Sequence, residues 1–283
     1  MIEYHKILKK IDSKKKKSNS KNLKIKFLCN FNQLFLENYL NYFLIEKSIN
    51  VKILKSEFDQ IDQSIISFKK KIDINYLIVG EDINSRINFN DNECDNYLTQ
   101  LELRIDHLKI IKDKNPNLKI IYFNLIKKRD FNNDFYNNLN KKILNFNERI
   151  EKKCLNSQIQ IFDIQSISNH IGLENFYDDE KNFLAKTLYS EYALNLISKE
   201  LSKQIYASEN TRKKCLVLDL DNTLWGGVLG EEGPYSIKLG NSFEGEKFIR
   251  FQKYIKDLSN KGIILAILSK NNLDDVKECF KKN

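Results

Sequence analysis

Short, almost wholly apolar runs alternate along this chain with longer stretches of helical periodicity, and that alternation restricts the fold more than any other feature of the sequence. Residues 23–28 read as a strand, about 33–46 as an amphipathic helix and 51–54 as a second strand, a βαβ opening. Residues 76–79, closed by Gly80, read as a buried strand and 97–112 as a helix. After the turn signal Asn115-Pro116-Asn117, residues 119–125 read as the next strand. The pattern continues with a helix over 138–155, a strand over 158–164 and a helix over 190–206 that Ser190 can cap. Strands in this order predict an α/β fold, a parallel sheet covered by helices on both faces, over residues 20–206.

The polar stretch ASENTRKK, residues 207–214, has no apolar period and reads as a linker. Beyond it come an apolar strand at 215–218, an amphipathic helix at 244–260, a second buried strand at 263–268 and a helix starting near Asn272. Two strands and two helices are too few to close a core of their own, so 215–283 reads as the first part of a second α/β domain. Glycine changes with it: Gly80 and Gly172 are the only two of the nine before Trp225, and seven crowd the rest. Such a density just after an apolar strand predicts a tight, shaped loop.

The 283 residues carry 47 Lys+Arg and 38 Asp+Glu, a net charge of +9, with 41% hydrophobic residues, which excludes general disorder. Only six of the basic residues are arginine, and the abundance of Lys, Asn and Ile resembles translation of an AT-rich genome. Without arginine clusters or a known motif, the charge does not argue for nucleic acid. Lys14 to Lys17 read as a solvated, frayed terminus, and FNNDFYNNLN at 131–140 as a polar loop. The five cysteines are scattered without a Cys-x-x-Cys pair, so neither disulfides nor zinc is expected. No run reaches the ~20 apolar residues of a membrane helix and no signal peptide opens the chain. The expectation is a soluble protein of the reducing cytoplasm, with no membrane and no nucleic acid among its partners.

CLVLDLDNT, residues 215–223, is an apolar strand ending in two carboxylates two residues apart, with a hydroxyl two further on. At strand period Asp219 and Asp221 share a face. At the carboxyl end of a parallel strand such a pair can serve as nucleophile and acid/base around a divalent cation, and its hard oxygens suit Mg²⁺.

DLDNT after an apolar strand resembles motif I of the haloacid dehalogenase superfamily. The continuation KCLVLDLDNTLWGGVLGEEGPYSIKLG, followed by FQKYIKDLSNKGIILAILSKN, resembles its FkbH-like branch, the subfamily IIIC phosphatases. The resemblance implies that Asp219 attacks phosphorus to form an aspartyl-phosphate and that Asp221 is the general acid/base. Mg²⁺ would sit on the Asp219 carboxylate and the Asp221 main-chain carbonyl, with Thr223 bracing the loop. Trp225 to Gly233 match the flap over the site, and Ser269 matches motif II, which binds phosphoryl oxygens. The family's motif III lysine and motif IV acids lie beyond motif II, and the sequence stops at Asn283 before them. The expectation is an N-terminal fragment with a truncated phosphatase domain, inactive or nearly so by itself.

Residues 20–206 also resemble FkbH-like proteins, whose first domain has an SGNH-hydrolase-like fold; the matching patches are KIKFLCNFN, SEFDQ and FLAKTLYS. An SGNH enzyme needs a serine after its first strand and a late Asp-x-x-His pair. Here Cys29, Asn30, Phe31 and Asn32 follow the strand, and Asp178 and Asp179 are followed three residues on by Lys181 and Asn182. Cys29 reads as a small buried hydrophobe, His107 as a helix residue, His170 as a loop residue, and Asp178-Asp179-Glu180 as a solvated turn. This domain is expected to bind or position rather than catalyse.

The main expectation is therefore a Mg²⁺-dependent phosphatase or phosphotransferase acting on a phosphorylated small molecule. FkbH-like relatives imply loading of a glyceryl unit from a phosphorylated glycerate onto an acyl carrier protein, in secondary-metabolite or surface-glycan synthesis. The alternatives are a non-catalytic SGNH-like binding module with an inactive stub, docking an acidic carrier protein through lysines, and an esterase in the first domain.

Overall fold

Buried apolar alternation is what builds the sheet, and the computed structural model shows it strand by strand. It describes residues 4–13, 21–68, 72–85, 91–127, 134–210, 213–240 and 243–282. The chain divides into two compact units, Met1–Glu209 and Asn210–Asn283.

The first unit runs α1 (Tyr4–Ser13), β1 (Lys21–Cys29), α2 (Leu34–Glu46), β2 (Ile49–Leu54), α3 (Ile61–Ser67), β3 (Tyr76–Gly80), α4 (Asp91–Lys114), β4 (Lys119–Phe123), α5 (Asp134–Asn156) and β5 (Gln160–Phe162). Three short helices follow, α6 (Ile164–Ile171), α7 (Leu173–Phe176) and α8 (Asp179–Ala185), and then α9 (Glu191–Glu209). The strands form one parallel sheet in the order β2-β1-β3-β4-β5. Successive residues feed opposite faces: Ile25, Phe27, Tyr76, Ile78, Ile121 and Phe123 pack with α1, α2 and α9, while Leu28, Leu77, Val79, Ile120 and Tyr122 pack with α3, α4 and α5. The result is the expected three-layer α/β/α arrangement.

Several elements depart from the sequence reading. α1 was not expected; Ile7 and Ile11, one turn apart, join the core beside α2, whereas Lys14 to Lys17 lie outside the described residues. The Asn-rich patch is not a loop throughout: from Asp134 it is the start of α5, drawn into a helix because Leu139 and Ile143 bury on one face, and residues 131–133 lie outside the described set. β5 is shorter than expected, because Gln158 turns at φ 54° and Asp163 caps α6 by accepting from the Ser166 amide at 3.0 Å. His170 accordingly sits in the last turn of α6 rather than in a loop. α9 continues through residues 207–209, into the stretch read as linker, and its last residue explains why. Glu209 accepts from Lys119 Nζ at 2.6 Å and from Tyr76 OH at 2.7 Å and also pairs with Lys21, tying the helix end to the starts of β1, β3 and β4. Thr211 and Arg212, in the same stretch, lie outside the described residues.

An ionic cluster crosses from the sheet edge to the helices, with Arg104 and Glu81 buried and Asp62 half exposed. Arg104 of α4 grips Asp62 through Nε and Nη2, each at 2.7 Å, and reaches Glu81 through Nη1. Glu81 also accepts from Tyr97 OH at 3.0 Å and Tyr122 OH at 3.4 Å.

The second unit contains β6 (Cys215–Leu218), α10 (Leu229–Glu232), α11 (Phe243–Asn260), β7 (Ile264–Ile267) and α12 (Leu273–Lys282). β6 and β7 pair in parallel, Leu218 opposite Ile267. Trp225, Leu220, Leu224, Leu229 and Ile255 form its core, with the Trp225 indole edge-on to Phe280 at 5.8 Å. The two strands are not buried as expected: Val217 is 57% and Ile264 64% exposed, because α11 and α12 cover a single face of a two-stranded sheet.

Candidate functional site

Parallel pairing brings the carboxyl ends of β6 and β7 side by side, with the Leu268 amide donating to Leu218 O at 2.9 Å. Asp219 leaves the first strand and Ser269 the second. Asp219 is exposed; its Oδ1 accepts from the Leu220 amide at 2.9 Å, and its Oδ2 has no hydrogen-bond partner among the described residues.

Asp221 is held quite differently. Its Oδ1 accepts from Trp225 Nε1 at 3.0 Å and the Leu229 amide at 3.1 Å, and its Oδ2 accepts from Asn271 Nδ2 at 2.9 Å. The loop between is wound tightly enough to deliver those donors. Leu220 O accepts from the amides of Thr223, at 3.1 Å, and Leu224, at 2.8 Å. Asn222 takes φ 55°, and its Oδ1 accepts from the Gly227 amide at 3.0 Å. Gly226 exchanges two backbone bonds with Lys238, closing the loop's far side. Two glycines are required here: at Gly226 a Cβ would come within 2.8 Å of the Phe248 ring, and Gly227 takes φ 97°, a backbone conformation that other residues rarely adopt.

The four residues singled out by sequence therefore differ in role. Asp219, Asp221 and Ser269 gather at one end of the small sheet, and Asn271 links the last two, its Nδ2 donating to Asp221 Oδ2 and its amide and Nδ2 reaching Ser269 Oγ at 3.2 and 3.1 Å. Thr223 braces the loop through its amide; its hydroxyl makes no hydrogen bond among the described residues.

Chemically, the arrangement offers one exposed, sparsely bonded carboxylate beside a second that is oriented by three N–H donors. Among the described residues no three His, Cys, Asp or Glu side chains cluster as a metal site. The donor set still fits Mg²⁺, which commonly binds through one or two carboxylates and completes its shell with water and phosphate oxygens. Asp219 has a free oxygen for it, whereas both oxygens of Asp221 are already used.

In the first unit, the place where the strand order reverses, between β1 and β3, is the usual ligand crevice of an open α/β sheet. Here it is filled by the chain's own polar groups. Asn30 Nδ2 donates to Asp82 O at 3.1 Å and the Asp82 amide to Asn30 Oδ1 at 3.0 Å. The Asp82 carboxylate then accepts from Tyr177 OH at 2.9 Å, Tyr189 OH at 3.0 Å and the Asn84 amide at 2.7 Å. Burial raises the Asp82 carboxyl above its ordinary range, and these donors pull it partly back. Cys29 is buried, and that burial pushes its thiol up, away from the thiolate form. Asp178 caps α8, accepting from the Lys181 amide at 2.9 Å, which together with the Lys181 ammonium lowers its carboxyl.

The N-terminal part of the protein BF1531 from Bacteroides fragilis, solved with its phosphatase domain complexed with Mg, aligns with 100% of this chain and 77% of its own, at 23% identity and a TM-score of 0.75. The chain shares that protein's fold. A GDSL-like lipase from Bacteroides thetaiotaomicron aligns over 72% of this chain and 97% of its own at 11% identity and a TM-score of 0.38. An acetyl xylan esterase from Geobacillus stearothermophilus does so over 68% and 98%, at 10% identity and a TM-score of 0.44. Neither a protein-family model nor a curated protein matches the sequence. Among the described residues no helix is long and apolar enough to cross a membrane.

Sequence reasoning missed Asn271 and Asp82. The first stands inside the quoted LSKN string, and a side-chain amide directly after the Ser269-Lys270 pair was the available signal. Asp82 had none, since its partners Asn30, Tyr177 and Tyr189 are spread over 160 positions of sequence numbering, from 30 to 189 at the extremes.

Proposed function

We propose that the second unit carries a Mg²⁺-dependent phosphoryl-transfer site of haloacid dehalogenase type. The observation that supports this best is the strand-end constellation itself: a free Asp219 oxygen next to an Asp221 oriented by Trp225, Leu229 and Asn271. An Asp219 oxygen attacks phosphorus, the bond from phosphorus to the leaving oxygen breaks, and Asp221 gives that oxygen its proton. Asp221 then takes a proton from water or another acceptor, whose oxygen or sulfur displaces Asp219. Asp219 and the Asp221 main-chain carbonyl would hold Mg²⁺, which when bound would supply the positive charge that lets one anion approach another. Ser269 hydrogen-bonds a phosphoryl oxygen in this reading.

Protonated Asp221 needs an acceptor, and the side chain able to change is Asn271, whose amide can turn its oxygen toward Asp221. The finer reading, an FkbH-like transfer of a glyceryl unit from a phosphorylated glycerate to an acyl carrier protein, rests on the DLDNTLWGGV and LSKN strings.

Beryllium fluoride, an aspartyl-phosphate mimic, is the direct probe. With Mg²⁺ the chain should give a bound fluorine resonance that EDTA removes and that Asp219→Asn lacks. Persistence of the resonance in Asp219→Asn, or its survival in EDTA, overturns the reading.

For the first unit the filled crevice and the buried Cys29 favour binding over ester hydrolysis.

A further inference from the structure

The first unit has an open cavity of about 410 Å³ at the carboxyl ends of β1 and β2, walled by the first turn of α2 and the turn that ends α8. Ligands of open α/β sheets are received at this edge, and pockets of this volume accept small molecules. The walls are tied together before any ligand arrives. The Asn32 amide donates to Lys186 O at 2.8 Å and Asn32 Nδ2 to Ala185 O at 3.0 Å, while Lys186 closes α8 at φ 56°. Ser56, the cavity's one hydroxyl among the described residues, donates to Phe27 O.

The lining has two chemistries. Phe31 is a buried floor, and Leu34 and Phe58, 54% and 52% exposed, leave apolar surface open to the cavity. Lys55 and Lys186 also line it, and neither ammonium makes an ion pair or hydrogen bond among the described residues. At the first turn of α2, a helix of 13 residues, Gln33 makes no side-chain cap, and Asn32 Oδ1 accepts from the Leu34 amide at 3.1 Å, leaving the positive end of the helix facing the cavity only in part satisfied. The single acid, Glu37, is bonded to the Gln33 side chain, and burial pushes its carboxyl up to about 7, so it opposes an anion only in part at neutral pH.

We propose that this cavity binds a small amphiphilic anion, a carboxylate with a hydrocarbon or aromatic tail, its head between Lys55 and Lys186 and its tail against Phe31, Leu34 and Phe58. The ligand is held, not turned over, and the proposal stands independently of the chemistry assigned to Asp219.

Octanoate is the probe. Calorimetric titration of the full chain should show saturable binding with a Kd below about 1 mM. The double variant Lys55→Ala/Lys186→Ala should bind about tenfold more weakly, as should the parent with octan-1-ol, which keeps the tail and lacks the charge. Phe58→Ser should weaken both ligands. The substituted side chains are exposed, so an unchanged thermal midpoint confirms that the variants fold. No saturable binding, equal affinity in the double variant, or octan-1-ol binding as tightly as octanoate overturns the proposal. The double variant also distinguishes this cavity from the apolar sheet face of the second unit, where binding would not respond to Lys55 or Lys186.

Discussion

Asn271 Nδ2 lies 2.9 Å from Asp221 Oδ2 and 3.1 Å from Ser269 Oγ, so one side-chain amide joins the ends of both strands of the second unit. Removing it leaves a half-buried carboxylate with one donor fewer. Asn271→Leu should destabilise this unit by about 1–2 kcal/mol in urea titration, the ordinary cost of such a loss. It should also weaken beryllium fluoride binding, because Asp221 is then free to turn. An unchanged urea midpoint together with unchanged fluoride affinity would show that water replaces the amide without cost.

Gly227 makes a sharper structural demand. Because the backbone there takes φ 97°, Gly227→Ala should cost about 1–3 kcal/mol and loosen the loop that brings the Leu229 amide to Asp221. Asn222→Gly is the companion variant: Asn222 already adopts φ 55°, so glycine there relieves backbone strain but loses the bond to the Gly227 amide. Comparing their thermal midpoints separates strain from hydrogen bonding, with Gly227→Ala expected to fall further.

In the first unit, Arg104→Met leaves Glu81 buried without its cation. The expected loss is about 3–5 kcal/mol by denaturant unfolding. The double change Arg104→Met/Glu81→Gln should recover a good part of it, since Tyr97 and Tyr122 can still hydrogen-bond an amide. If the single variant is as stable as the parent, the cluster is not held as an ionic unit.

Glu209 gives the fold an acid limit. Burial of its side chain, only 6% exposed, works against ionisation, but Lys119, Lys21 and the Tyr76 hydroxyl outweigh it and hold the carboxyl at about 2 rather than its ordinary 4.5. A carboxyl lowered on folding stabilises fully above its unfolded value and loses that contribution as pH falls through its folded one. Stability should therefore decline by about 2 kcal/mol between roughly pH 4.5 and 2 on this account. Glu209→Gln should show a flatter urea profile across that window, and equal slopes in parent and variant would remove Glu209 as the cause.

Much of the architecture is legible in the sequence because each strand carries its own record of burial. Residues 76–79 and 119–123 alternate between two covered faces, and no neighbour is needed to see it. α1 was not legible, since Ile7 and Ile11 are two apolar positions among lysines and acquire meaning only beside α2. The short helices α6 to α8 fall below the length at which periodicity speaks. At the site, Asp219 and Asp221 could be read as a carboxylate pair closing an apolar strand, although β6 itself ends at Leu218 and Asp221 lies in the loop beyond it. The partners that distinguish one acid from the other, Leu229 and Asn271, come from a loop closure and from a second strand, and spacing alone does not carry either.

The interlocked Asn30 and Asp82 determine what can be engineered into the first unit. A serine placed at 29 or 30 would find no vacant space in front of it, because Tyr177, Tyr189 and Asn84 converge there on a single buried carboxylate. Ester chemistry could not be retrofitted by adding a nucleophile; the keystone would have to come out first, and with it the clasp between three separate segments of the chain.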